Sequence, residues 1–311
     1  MIHAIEGVLP VVNTPYLDDL SIDYSTLERE VDFAFATGAQ GLVLALVSDT
    51  LRLTATERME LPARLVRYAR GRGPVIISVG AESTSQARQY ARAAEDAGAA
   101  AVMAIPPLSQ ALAEAQLRTY FEGLLDEVAI PVLIQDASSY VGRSMSTEFQ
   151  ASMFRDFGDR ILFKPEATPL GPCISALHQL TGGKARIFEG SGGILLVESF
   201  RRGIHGTMPG IELLDGVVAL WNALQTGDDD LIYRLYLPIC AIIALELQGG
   251  LDGFILTERH IMHRRGIFPN QNARGPLGYV LDDPTRAEID RLFSQLQSIL
   301  ASVQAAGPKP L

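Results

Sequence analysis

Lys164 closes the apolar run Ile161-Leu-Phe-Lys164, and the chain's other two lysines lie in different surroundings. Lys184 follows the turn-like Thr181-Gly-Gly, and Lys309 sits in a Pro/Gly tail; arginine carries nearly all the positive charge. An ammonium drawn out of water loses hydration, so its pKa falls and a free amine becomes available to attack a ketone. The resulting iminium withdraws electrons, and an adjacent carbon can then lose a proton or break a bond. The plainer reading is a structural ion pair with Glu166 or Glu189. Glu166 is close enough in sequence to tune the lysine or act as a base, or it is a helix-start carboxylate before Pro169. Glu189-Gly-Ser-Gly-Gly193 could hold a phosphate on backbone N–H groups at a helix start. Yet no cation follows before Arg201, and close approach of backbone to any substrate explains the glycines as well. Cys173 and Cys240 lack metal-type spacing and His260-x-x-His263 lacks a third ligand, so neither a metal nor a cofactor is expected.

Residues of this kind need a frame that brings strand ends together. Eight short apolar runs, at 8–13, 41–47, 74–79, 100–105, 131–135, 161–164, 186–189 and 204–208, alternate with amphipathic stretches. They lack strict polar alternation, as parallel strands covered on both faces do. Ser25-Thr-Leu-Glu28, Thr54-Ala-Thr-Glu57 and Ser83-Thr-Ser-Gln86 each have the form of a capping box before a helix. Glycines at 38, 98 and 203 suit helix C-termini that turn back into a strand. The pattern predicts an α/β fold, a (β/α)8 TIM barrel over residues 1–226. Helices at 228–247, 252–264 and 284–303 predict a C-terminal helical extension over 227–304, with a flexible tail at 305–311. An open doubly wound sheet is the alternative; it normally opens on G-x-G-x-x-G, which Val12-Asn-Thr-Pro15 does not resemble.

In such a barrel the site lies at the strand C-terminal ends. Those positions are Thr14, Ser48, Asp49, Pro106, Gln135, Lys164, Glu189 with Gly190, and Met208. The formal charge of −10 and the pI near 5.0 argue against nucleic-acid and anionic-membrane partners. With no basic-then-apolar opening segment and few cysteines, the expectation is a reduced, soluble, cytoplasmic protein acting on a small molecule.

Taken in order, several segments resemble the dihydrodipicolinate synthase/N-acetylneuraminate lyase family of Schiff-base aldolases. They include Gly7-Val-Leu-Pro-Val-Val-Asn-Thr-Pro15, Gly38-Ala-Gln-Gly41-Leu, Thr54-Ala-Thr-Glu57-Arg and Gly71-Arg-Gly-Pro-Val-Ile-Ile77. Ala94-Glu-Asp-Ala-Gly-Ala99 and Phe163-Lys164-Pro-Glu-Ala-Thr168 extend the likeness, which runs from about residue 7 to 300. The resemblance implies a barrel with C-terminal helices, a homo-oligomer (dimer or tetramer), and an imine between Lys164 and pyruvate or another 2-oxo acid. Departures are informative. Ala45-Leu-Val-Ser-Asp49 replaces the family's Gly-Thr-Thr-Gly-Glu loop, Gln135 and Leu108 stand at its two tyrosine positions, and Tyr140 stands at its second-substrate arginine. Dihydrodipicolinate synthesis is therefore not expected. Gln135-Asp136, Pro106-Pro107, Ser48-Asp49 and the Lys-x-Glu spacing are similar to the 2-keto-3-deoxy-L-arabonate dehydratases, although Leu108 departs from that branch as well.

The resemblance implies a lyase, a dehydratase or retro-aldolase acting on a 2-keto-3-deoxy sugar acid or similar compound. Lys164 is its nucleophile, Glu166 a candidate base, and Gln135 with Asp136 orient substrate in place of the tyrosine. Ser48 would hold the substrate carboxylate through hydroxyl and backbone N–H, with Asp49 positioning the loop. Pro106, Leu108, Gly190, Ser191 and Met208 would complete the pocket. Other readings stay open: a barrel that binds small carboxylates without turnover, or a phosphate-binding barrel enzyme, including a pyridoxal-phosphate version.

Overall fold

The structure is a computed structural model that describes residues 4–306. Strands and helices alternate from the start: β1 (Gly7–Val8), α1 (Tyr24–Thr37), β2 (Leu42–Leu44), α2 (Ala55–Ala69), β3 (Val75–Ser78), α3 (Thr84–Asp96), β4 (Ala101–Ala104) and α4 (Glu114–Glu127). The second half repeats the pattern with β5 (Val132–Asp136), α5 (Thr147–Phe157), β6 (Ile161–Pro165), α6 (Leu170–Leu180), β7 (Arg186–Glu189), α7 (Leu196–Arg201), β8 (Gly206–Thr207) and α8 (Leu214–Thr226). All eight strands pair in parallel, in the order β1-β8-β7-β6-β5-β4-β3-β2. A parallel bridge between Val11 and Val43 closes the ring, so the sheet is a (β/α)8 barrel and not an open doubly wound sheet.

Burial on both faces explains why the strands read as unbroken apolar runs. Leu9, Val11, Val43, Ile76, Met103, Leu133, Leu162 and Phe188 pack with one another inside the barrel. Their neighbours Val8, Leu42, Ile77, Val102, Ile134 and Phe163 instead join the larger core shared with the helices. Successive residues thus face opposite ways, as strand geometry requires. Lys164, two residues after Leu162, and Gln135, two after Leu133, continue the inward face at the C-terminal ends and are directly paired.

Helix starts follow local chemistry, with two corrections. Thr54 and Glu57 form the reciprocal capping box ahead of α2. Ser83 caps α3 through the Gln86 N–H, but the Gln86 side chain turns to Tyr90. Ser25 is not a cap: Asp23 accepts the Thr26 N–H at 3.0 Å, so α1 begins one residue before Ser25. The carboxylate is the better acceptor at an N-terminus, where the helix dipole favours negative charge.

After α8 come α9 (Asp229–Glu246), α10 (Gly250–Arg264) and α11 (Asp283–Ala306). The 229–264 stretch has the length and hydropathy of a membrane span, but it is broken around Leu247–Gly249 and packs on α8 and α11. α11 includes Ala305 and Ala306, where the sequence predicts a flexible tail; the rest of that predicted tail, 307–311, lies outside the described residues.

Candidate functional site

A cleft of about 430 Å³ opens at the strand C-terminal ends, with Lys164, Gln135, Glu166, Tyr140, Gly190 and Met208 among its lining residues. Lys164 is almost fully buried, and its Nζ stands 3.2 Å from Glu166 Oε1. Gln135 Nε2 donates to the other Glu166 oxygen at 2.6 Å, so the carboxyl is fixed on both sides. Burial pushes Glu166 above the ordinary carboxylate range, opposed by Lys164 and the Gln135 hydrogen bond. Glu189, the other expected partner of the lysine, is occupied by the Thr207 hydroxyl and the Ser191 N–H. Tyr140 reaches in from the β5 loop and donates to the Gly190 carbonyl at 3.3 Å. Burial, then the Glu166, Glu189 and Glu246 carboxylates, hold its phenol well above its usual range, so it is a neutral donor and not a base.

The 45–49 loop differs from the expectation. Ser48 is fully buried, its hydroxyl donates to the Val12 carbonyl, and its N–H donates to Ala45 O at 3.0 Å. Neither donor is left for a ligand. Ser48 Oγ also accepts the Ala45 N–H, which holds the single 3-10 turn Leu46–Ser48. Leu46 and Val47 line the cleft, and as the first residues of that turn their N–H groups have no acceptor among the described residues. Asp49 adopts a left-handed conformation and pairs with Arg259 at 2.7 Å and Arg52 at 3.4 Å. It anchors the loop without lining the cleft.

Four more expected residues are not brought to the cleft. Asp136 follows Gln135 on its strand and so faces outward; its carboxylate accepts the Ser138 and Met145 N–H groups and shapes the β5 loop. Pro106 and Leu108 line a neighbouring groove with Arg58 and Tyr90. Leu108 also packs against the small cluster of Leu46, Ile105 and Ala137 without joining the cleft's lining. Ser191 turns its hydroxyl to the Leu195 N–H, and Gly192 takes its place in the wall. With the Ser191 and Leu195 N–H groups used internally and the Glu189 carboxylate alongside, this loop is poorly suited to phosphate.

The opposite wall comes from α10, through Leu251, Phe254 and Glu258, with Gly210 beside them. Glu258 is fully buried; Asn13 Nδ2 donates to its Oε2, while its Oε1 has no partner among the described residues. Asn13 N donates in turn to Glu30 at 2.7 Å. Glu212 and Glu246 are buried nearby. Burial first, then the neighbouring carboxylates, pushes Glu246 and Glu258 far above the ordinary range, with Asn13 and Arg259 opposing the shift at Glu258. Burial pushes Glu212 up to about 7, the effect of Arg265 opposing it.

A family model for the dihydrodipicolinate synthetase family matches residues 4–287. The chain belongs to that family. Over 300 residues it is 30% identical to L-2-keto-3-deoxyarabonate dehydratase of Azospirillum brasilense, covering 94% of this chain and 95% of that protein. It is 29% identical over 192 residues to 4-hydroxy-tetrahydrodipicolinate synthase of Persephonella marina, covering 61% of this chain and 65% of the relative. Among solved structures, dihydrodipicolinate synthase from Rhodopseudomonas palustris aligns with a TM-score of 0.85 at 28% identity, covering 95% of this chain and all of that one. A prophage protein of the family from E. coli K12, solved in complex with pyruvate, aligns at 0.84 with 20% identity, covering 94% and 99%.

In this member of the dihydrodipicolinate synthetase family, sequence reasoning missed the whole α10 wall. The signal was present: Leu251, Phe254 and Glu258 recur at helical spacing, with one carboxylate among apolar neighbours. The His260-x-x-His263 pair on the same helix serves packing, His260 bonding Asp290 and His263 meeting the Phe268 carbonyl. Gly190 has a steric requirement. A Cβ there would fall on Lys164 Cε and Glu166 Oε1. Gly190→Ala is expected to lose about 1–3 kcal/mol by overpacking, read from the urea midpoint. An unchanged midpoint would mean that the lysine and carboxyl can step aside.

Proposed function

We propose that this protein is a Schiff-base lyase that dehydrates a 2-keto-3-deoxy sugar acid. The observation that carries the reading is the buried Lys164 amine at the cleft floor, 3.2 Å from a carboxyl whose other oxygen Gln135 fixes. The full-length likeness to a keto-deoxy sugar acid dehydratase supports the substrate class.

A proton passing from Lys164 to Glu166 leaves a free amine. The amine attacks the C2 ketone, and the carbinolamine loses water to give an iminium. The iminium acidifies C3, and Glu166, once returned to its carboxylate form, takes that proton to leave an enamine. The enamine's electrons then form the C3–C4 double bond as the C4–O bond breaks and the hydroxyl leaves, protonated, as water. Hydrolysis of the conjugated imine restores the lysine. The substrate carboxylate would lie against the free N–H groups of Leu46 and Val47, and the neutral Tyr140 phenol would donate to a substrate oxygen. Tyr140 offers no cation to a second dicarboxylate substrate, so dihydrodipicolinate synthesis falls outside this reading.

Borohydride reduction with pyruvate and with a 2-keto-3-deoxypentonate, followed by peptide mass analysis, tests it. A reduced adduct on Lys164 is the expected result. No adduct with any 2-oxo acid would sink the covalent mechanism.

A further inference from the structure

Departure of a hydroxide from C4 is slow unless a proton reaches it, and the Lys164–Glu166 pair lies at the C2–C3 end of the reaction. A bound acid must therefore stand where the rest of the chain extends. Resting on the imine reading, we propose that Glu258, on the α10 wall of the same cleft, is the acid that protonates the leaving C4 hydroxyl.

Three observations place it there. Glu258 lines the cleft that holds Lys164, yet belongs to a different part of the fold. Asn13 holds its Oε2, while Oε1 is buried without a partner among the described residues, a costly state that a substrate hydroxyl would relieve. Gly210 admits it: a Cβ there would strike Glu258 Oε1 and Glu212 Oε2, so only a glycine lets both carboxyls approach this wall.

The surroundings keep the acid protonated. Burial, then Glu212 after β8 and Glu30 on α1, raises its proton affinity, and Glu246 on α9 faces it as well. Arg259, the next residue on α10, and the Asn13 amide work in the opposite direction. A carboxylic acid kept neutral in this way can donate a full proton where a water could not. In the step itself, the enamine electrons form the C3–C4 double bond and the C4–O electron pair stays on oxygen. The Glu258 proton moves to that oxygen. Water leaves, and the Glu258 carboxylate recovers its proton from solvent before the next turnover.

The test compares wild type with Glu258→Gln, which keeps the shape and an acceptor for Asn13 but has no proton to give. Trapping on Lys164 with pyruvate, which has no C4, is expected to match wild type and shows that the cleft is intact. Turnover of a 2-keto-3-deoxypentonate should fall about 10²- to 10⁴-fold. With a 4-chloro analogue, whose chloride departs unprotonated, the variant should approach the wild-type rate. Wild type should lose rate with the hydroxy substrate as pH rises, and that alkaline fall should be absent in the variant. Turnover of the hydroxy substrate within about threefold of wild type, or equal loss with both substrates, would overturn the assignment while leaving the imine in place. A wild type that traps no 2-oxo acid would overturn the imine reading, and this assignment with it.

Discussion

Lys164→Ala is expected to abolish borohydride trapping with every 2-oxo acid and to lower turnover by about 10⁴- to 10⁶-fold, the scale seen when a covalent nucleophile is removed. Persistent trapping at another residue would move the nucleophile elsewhere. The variant must also be shown to fold, and here the Glu166 environment matters. Removing one member of a buried ion pair commonly costs about 3–5 kcal/mol because the remaining charge is stranded. Glu166 has an exit, since burial already holds its pKa above the unfolded value and losing Lys164 raises it further. A carboxyl whose folded pKa is raised contributes stability that is fully present below its unfolded pKa and lost as pH rises through the folded pKa. The variant should therefore be close to wild type in stability at acidic pH and fall behind as pH climbs above the ordinary carboxylate range. Denaturant titrations at several pH values read this directly, and a pH-independent difference would contradict it.

Arg259→Met should carry the largest stability loss. The guanidinium is about 1% exposed and donates to Asp49 at 2.7 Å, Thr14 O at 2.8 Å and Asn272 O at 2.7 Å. It also lies over the Tyr16 ring, 4.9 Å from its centroid. One side chain thus joins α10, the segment after β1, the 45–49 loop and the 270s segment. Methionine fills part of the volume but strands two carbonyls and leaves buried Asp49 to its longer contact with Arg52, a loss of about 3–5 kcal/mol and a fall in melting temperature of about 5–10 °C. Combined with Asp49→Asn, the loss should be well below the sum of the two single effects, because both remove the same pair. Additive losses would show that Arg259 acts through the carbonyls alone.

The barrel was legible because its strands are buried on both faces and its helices carry caps, and both leave marks in composition. Lys164, Gln135, Gly190 and Met208 were legible as strand-end positions and Glu166 from its place two residues after Lys164, and the structure brings them to one cleft. Asp136 and Pro106 were misplaced because continuous apolar strands hide their phase. Counting back from Lys164 to Leu162, and across the register to Gln135 and Leu133, gives that phase and turns Asp136 outward. Ser48 misled for another reason: a hydroxyl near a strand end is as useful for bracing a turn as for binding, and only its distance to Val12 O and Ala45 N decides. Glu258 shares a readable helical spacing with Leu251 and Phe254, but that this face turns toward the strand ends is set by helix packing that no local pattern records.

The α10 wall has an evolutionary consequence. The cleft floor is written in the barrel strands, whereas Leu251, Phe254 and Glu258 are written in a helix outside the strand repeat. Substitutions in that helix can reshape what the cleft accepts without disturbing the register of a single strand. Through positions such as Leu251 and Phe254, descendants of one barrel can then diversify in diet while inheriting an unaltered lysine and carboxyl at the cleft floor.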